Sequence, residues 1–212
     1  MIVLDYAKKY HSKIISACVH ALKQGKVLAY PTDTSYGLAV DAGNISAIKK
    51  LYKIKGRNFN KPVHVVMPSI AYAKKIVKWD KAADKLSRKF FPGPLTLILA
   101  LKAKGVGYRR LSANSGWLGI RLPNNDIAMD LAKYLKRPIT TTSANVSGKK
   151  DCYSANDIIS QFQNQKYKPD IIINAGKLPQ RKPSTLVKIG HDKIEIIRHG
   201  PISKKQIYQE LK

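Results

Sequence analysis

Negative charge is what this chain has least of. Its 212 residues hold 13 Asp and Glu against 39 Lys and Arg, a formal net charge of +26. From Ala42 to Trp79 there is no acid beside nine Lys or Arg, and from Lys85 to Asn125 there is again none. Such a surface attracts polyanions: nucleotides, nucleic acid or an anionic membrane face. Cysteine is scarce too. Cys18 and Cys152 cannot build a disulfide framework, and no C-x-x-C points to zinc. No apolar run approaches the ~20 residues of a membrane span. The N-terminal MIVLDYAKKYHSK has no apolar signal core, so the expectation is a cytoplasmic protein with no membrane partner. A Walker loop is missing, as are a G-x-G-x-x-G opening a helix and any evident Ser-His-Asp order.

What is present is globular. Hydrophobic residues make up 44% and aromatics 8%, enough for a packed core. At roughly 150 residues per domain, one domain over residues 1–212 is expected. Short β-like runs alternate with amphipathic stretches. Strand candidates are Val27–Tyr30, Val63–Met67, Thr96–Leu101, Trp117–Leu122, Ile139–Thr142, Ile171–Ile173, Leu186–Ile189 and Ile194–Ile197. Helices are expected after Asn44, over Lys81–Phe91, over Asp126–Leu135, and after Ser203, whose Gln206 completes a capping box. Gly105-Val106-Gly107 and Gly148 to Asp151 read as loops. The interleaving predicts an α/β or α+β sheet flanked by helices.

Several polar loops lie at strand ends, where ligands often bind. Pro31-Thr32-Asp33-Thr34-Ser35-Tyr36-Gly37-Leu38 packs three hydroxyls and a carboxylate into one turn. Lys55-Gly56-Arg57 with Lys61-Pro62, read as a polar loop, can neutralise phosphates through a fork and a point charge. Pro92-Gly93-Pro94 is a rigid turn and reads as architecture. Arg121 sits inside the apolar run Gly119-Ile120-Arg121-Leu122-Pro123. A guanidinium there needs an anion, and the local scarcity of acids favours a ligand over a protein carboxylate. Thr140 to Gly148 carries hydroxyls and the Asn145 amide, which hold phosphate, ribose or a base edge without adding charge. Pro183-Ser184-Thr185 and Arg198-His199-Gly200 flank later strands, and His199 reads as structural. Each segment alone is also an ordinary polar turn or solvated basic loop. Together they suit an anionic, phosphate-bearing ligand rather than a nucleophilic side chain.

Taken in order, PTDTSYGL, KGR with KP, PGPLT, GIRLP, TTSANVSG, PSTLV and IIRHG resemble the YrdC-like family of threonylcarbamoyladenylate synthases, in its short single-domain form. The matches run from about Tyr30 to Pro201. The resemblance implies a twisted, mostly parallel open α/β sheet around a large basic cavity. It implies a nucleotidyltransferase that condenses L-threonine, bicarbonate and ATP to threonylcarbamoyl-AMP and pyrophosphate, with Mg²⁺ accompanying ATP and no tightly bound metal. Partner proteins then transfer the threonylcarbamoyl group to tRNA, and tRNA or RNA is a possible partner of the basic surface. By position, Thr34, Arg121 and Ser184 fall on threonine contacts. Lys55, Arg57, Lys61, Ser143, Asn145 and Arg198 fall on nucleotide contacts, with Lys55 and Arg57 as the catalytic cations. Two departures stand out. Where some members carry a histidine this chain has Val66, with His64 two residues earlier. Trp117 replaces a small hydroxyl residue near the nucleotide, where an indole can narrow the pocket. Two other readings remain: a paralogue that mainly binds RNA, and carbamoyl transfer as in hydrogenase-maturation proteins, which carry further domains.

Overall fold

The computed structural model describes residues 1–190 and 193–212. The chain runs β1 (Ile2–Asp5), α1 (His11–Lys23), β2 (Leu28–Pro31), β3 (Tyr36–Ala39), α2 (Ile45–Lys55), β4 (His64–Val66), α3 (Ile70–Ile76), α4 (Lys81–Phe90) and β5 (Leu95–Ala100). It continues through α5 (Val106–Leu111), β6 (Trp117–Arg121), α6 (Asp126–Leu135), β7 (Ile139–Ser143), α7 (Ala155–Phe162), β8 (Ile171–Asn174), β9 (Thr185–Ile189), β10 (Ile194–Arg198) and α8 (Lys204–Leu211). Among the described residues no helix is long and apolar enough to cross a membrane.

The strands form one ten-stranded sheet in the order β1-β8-β2-β3-β7-β4-β6-β5-β9-β10. The α/β class with flanking helices is as expected, but the sheet is mixed rather than mostly parallel. β1·β8, β2·β8, β4·β6 and β5·β9 are parallel. β2·β3, β3·β7, β4·β7, β5·β6 and β9·β10 are antiparallel. The local cause at β2 and β3 is the Thr32–Ser35 turn, too short for the crossover a parallel pair requires.

Local chemistry sets the helix ends. Asn44 Oδ1 accepts from Ala47 N at 3.0 Å and starts α2, and Gly56, at φ +57°, ends it in the left-handed conformation. Ser203 and Gln206 form the expected capping box. Gly105 to Gly107 is not a loop, since α5 begins at Val106. Its Gly107 sits so close to Ala42 that a Cβ would lie 2.3 Å from that carbonyl oxygen.

Two apolar clusters cover the sheet. The larger gathers α2, α7 and α8 residues against Val27, Leu38, Val65, Leu97 and Val187. The smaller packs α1 and α6 over Leu28, Tyr30, Val66, Ile139 and Ile173. On this second face α6 covers Val66 and Ile139, which are paired across β4 and β7. The next pair on that face by strand alternation, His64 and Thr141, has no such cover and lines a cavity.

Candidate functional site

That cavity, of about 220 Å³, is lined by strand ends and the loops that follow them. Of the residues expected from the sequence, Thr34, Arg57, Arg121, Ser143, Ser184 and Arg198 all reach it, although they span most of the chain. Lys55, Lys61 and Asn145 do not line it.

The Thr32–Ser35 turn builds one wall. Thr32 Oγ1 accepts from the backbone N–H groups of Thr34 (3.1 Å) and Ser35 (3.3 Å) and donates to Ser35 O at 2.7 Å. This internal network fixes the buried Thr34 side chain at the cavity. Asp33 points to Arg121, whose Nη2 donates to Asp33 Oδ1 at 2.6 Å, with both side chains more than nine-tenths buried. The buried guanidinium therefore has a protein carboxylate, contrary to the expectation drawn from the local lack of acids. Asp33 lies 88 positions away in sequence, so regional composition did not reveal it.

Lys55 requires the other correction. It is the last residue of α2, not part of a polar loop, and it is buried. Its Nζ donates to Ser143 O (2.6 Å), Asn145 O (3.0 Å) and Asn145 Oδ1 (2.9 Å), which uses all three of its hydrogens. Its carbonyl accepts from Ser147 N at 2.8 Å. Lys55 is a clamp behind the wall that bears Ser143. Burial, with Arg57 adding to it, pushes its pKa down to about 8, against the opposing pull of Asp151 and Cys152.

Arg57, just past the helix, donates from Nη2 to Pro62 O at 2.8 Å. Burial draws its pKa down from the usual guanidinium range. On the opposite side, Arg198 donates from Nε and Nη2 to Ser184 O at 3.1 and 3.0 Å, and from Nη2 to Ser184 Oγ at 3.1 Å. Ser184 Oγ also lies 2.8 Å from Thr96 Oγ1. Gly200 lets this segment close, because a Cβ there would sit 2.4 Å from Pro183 O. Arg198 is also depressed, by burial first and then by the neighbouring Arg121 charge.

Among the described residues, the buried side-chain polar atoms without a hydrogen-bond partner are Arg57 Nε and Arg121 Nε. Unpaired buried donors are costly, and both belong to cations of this one cavity. They are the polar valences an anionic ligand would fill. The lining also holds Thr141, from the hydroxyl run expected to meet the ligand, and His64 and Asp151, to which the sequence reading gave no role in the site. Trp117 is not in the lining. It starts β6 with Lys188 Nζ 4.3 Å from its ring centre, so it does not narrow this cavity. Lys61 is exposed beside Pro62, and its carbonyl accepts from Tyr52 Oη at 2.9 Å.

Comparison with known proteins joins this geometry to a family. The Sua5/YciO/YrdC family model, with the description "Telomere recombination", matches residues 20–200. The chain belongs to the Sua5/YciO/YrdC family. A Methanocaldococcus jannaschii relative, named among the threonylcarbamoyl-AMP synthases, is 35% identical over 204 residues, covering 95% of this chain and 94% of that protein. The Pyrococcus abyssi threonylcarbamoyl-AMP synthase is 28% identical over 97% of this chain but only 59% of its own length. The chain thus spans about three-fifths of that longer relative. Among solved structures, P. abyssi Sua5 complexed with L-threonine superposes with a TM-score of 0.88 at 28% identity, covering 99% of this chain and 60% of that one. Escherichia coli YciO superposes with a TM-score of 0.81 at 26% identity, covering 97% of each chain.

Proposed function

We propose that residues 1–212 act as one domain that condenses L-threonine, bicarbonate and ATP to threonylcarbamoyl-AMP and pyrophosphate, a nucleotidyl transfer. The observation that carries this reading is the pair of unpaired, buried guanidinium N–H groups on Arg57 and Arg121 at a single cavity. Two anionic groups, a carboxylate and a phosphate, are what such a pair would bind. The names of the relatives above agree with that substrate set.

In this reading Arg121, steadied by Asp33, grips the threonine carboxylate, and Thr34 and Ser184 meet the rest of the amino acid. Arg57 and Arg198 face the phosphates, with Ser143 on the nucleotide. Lys55 and Asn145 hold the Ser143 turn from behind and contribute by positioning. A carbamate oxygen attacks the α-phosphorus, and pyrophosphate leaves. The protein's part is alignment and charge neutralisation, which needs no nucleophilic side chain. Mg²⁺ would travel with ATP. Asp151 is a carboxylate on the cavity wall, and Mg²⁺ bound through one or two carboxylates plus substrate phosphates fits that donor set. The product is a reactive mixed anhydride, so proteins that pass the threonylcarbamoyl group to tRNA are the partners this chemistry calls for.

Incubation with ATP, bicarbonate and threonine, followed by chromatography, tests the reading. A threonine-dependent adenylate is expected. Release of AMP or pyrophosphate that ignores threonine overturns it.

A further inference from the structure

His64 is one of the cavity residues that the roles above leave unused. It opens β4 and pairs with Thr141 on β7. On the other side β4 runs parallel to β6, with Val65 opposite Ile120 and Val66 opposite Arg121, which places His64 beside Gly119. The ring occupies the space a side chain at 119 would need. A Cβ on Gly119 would lie 2.3 Å from His64 Cδ2. Glycine at this position is thus what lets an imidazole lie on the cavity floor. Gly119 and Arg121 share one face of β6, about 6.6 Å apart along the strand. The imidazole and the guanidinium are neighbours in one row of the floor, and no hydrogen bond engages the ring among the described residues.

The surroundings of the ring are rich in donors. Arg57 after α2, Arg121 on β6 and Arg198 on β10 surround it, with Asp33 bound to Arg121 and Asp151 on the wall. An amino acid held at Arg121 by its carboxylate carries its ammonium two bonds from the carboxylate carbon. That ammonium cannot attack a carbonyl carbon until it loses a proton, and guanidinium groups cannot take one.

We propose that His64 accepts the proton from the amino group of the bound amino acid and so frees its lone pair to form the carbamate. This deepens the function proposed above and rests on it. The ammonium N–H bond breaks and the proton moves to the imidazole. The amine nitrogen then bonds to the carbon of bicarbonate, and water departs, leaving the carbamate anion. The imidazolium afterwards returns its proton to solvent. Burial, then Arg198, Arg121 and Arg57, push the ring's pKa down to about 3, which keeps it neutral. A carboxylate on Arg121 and phosphates on Arg57 and Arg198 offset those charges, so the ring becomes basic only when both substrates are in place.

The test begins with wild-type adenylate formation. Its absence would overturn the functional reading and this proposal together. With that activity in hand, His64→Gln should lower kcat by about 100-fold, the lower end for general acid–base catalysis. Its threonine KM should stay within about threefold, since the carboxylate grip is intact. Its rate should climb with pH toward the range where the threonine amine deprotonates unaided. His64→Gly should regain activity when imidazole is added. Near-normal kcat in His64→Gln overturns the proposal and leaves the function standing. So does a loss that is equal at every pH and unrescued by imidazole, the mark of a structural role. Should neither variant melt like wild type, NMR titration of the wild-type ring decides. Its pKa should rise when threonine and a non-hydrolysable ATP analogue are added, and a ring that does not respond overturns the proposal.

Discussion

Lys55 and Arg121 are both buried cations beside the same cavity, yet they are built differently. Every hydrogen on Lys55 Nζ goes to the Ser143–Asn145 turn. Arg121 gives Nη2 to Asp33 and keeps a buried Nε unpaired. The first cation is consumed by the fold; the second is held by the fold and still has capacity. Charge alone does not identify a ligand-binding residue. The valence left after the protein's own bonds are counted does.

The largest expected break in this contrast is Lys55→Met. It leaves three buried acceptor contacts unmet, a cost of about 3 kcal/mol or more. At about 2–4 °C per kcal/mol for a chain of this size, melting should fall by roughly 10 °C in calorimetry. The sign of its pH dependence follows from the lowered pKa. Between about 8 and the ordinary 10.5 the unfolded chain binds more protons at Lys55 than the folded one. Wild-type stability relative to Lys55→Met should therefore grow as pH rises through that window. Melting curves that do not separate the two proteins would put Lys55 among the free cations instead.

Arg57→Ala should do the reverse. Its backbone contact to Pro62 O is minor, so the fold should survive. Adenylate formation should fall by about 100-fold, the usual effect of losing one preorganised donor at a charged transition state. A stability loss as large as that of Lys55→Met would erase the distinction.

Arg121→Lys sharpens the middle case. Lysine keeps a charge for Asp33 and loses the fork. Threonine affinity should drop by about 10-fold or more, while ATP affinity changes little, as read by calorimetric titration. Equal losses for both ligands with a lower melting temperature would make the Asp33 pair purely structural.

The smallest effect is expected at Trp117, which lies outside the lining. Trp117→Thr should cost about 0.5–1 kcal/mol through the lost Lys188 contact and leave turnover unchanged. A clear gain or loss in ATP KM would return the indole to the nucleotide pocket.

The sequence displayed some of this and hid the rest for physical reasons. β5, β6, β7 and β9 were readable because apolar, β-branched runs bounded by Pro or Gly have few other uses. β3 was hidden inside a stretch read as one polar turn, although its strand begins at the buried Tyr36. α1 was missed altogether: its apolar stripe of Ile14, Ile15, Cys18, Val19 and Leu22 lies close behind a polar, charged start. Six of the nine expected site residues meet at one cavity. The place of Lys55 could have been found, because Gly56 is the residue that usually follows a helix end. The Asp33–Arg121 pair could not, since it depends on strands brought together by the whole sheet. His64 stood out in the sequence only as a displaced histidine, and its place on the cavity floor comes from the glycine across the strand.

The close fit of Gly200 against Pro183 bears on how the molecule is made. The cavity draws on residues from Thr32 to Arg198, so the wall that carries Arg198 is synthesised after all its others. A nascent chain can assemble the β2–β3 hairpin early, but it holds only part of the arginine set until β10 docks on β9. Completion of the cavity and docking of β10 are thereby tied to one step. A chain stalled before Arg198 would lack one of its proposed phosphate contacts, and ligand would favour the chain with β10 docked over its precursors.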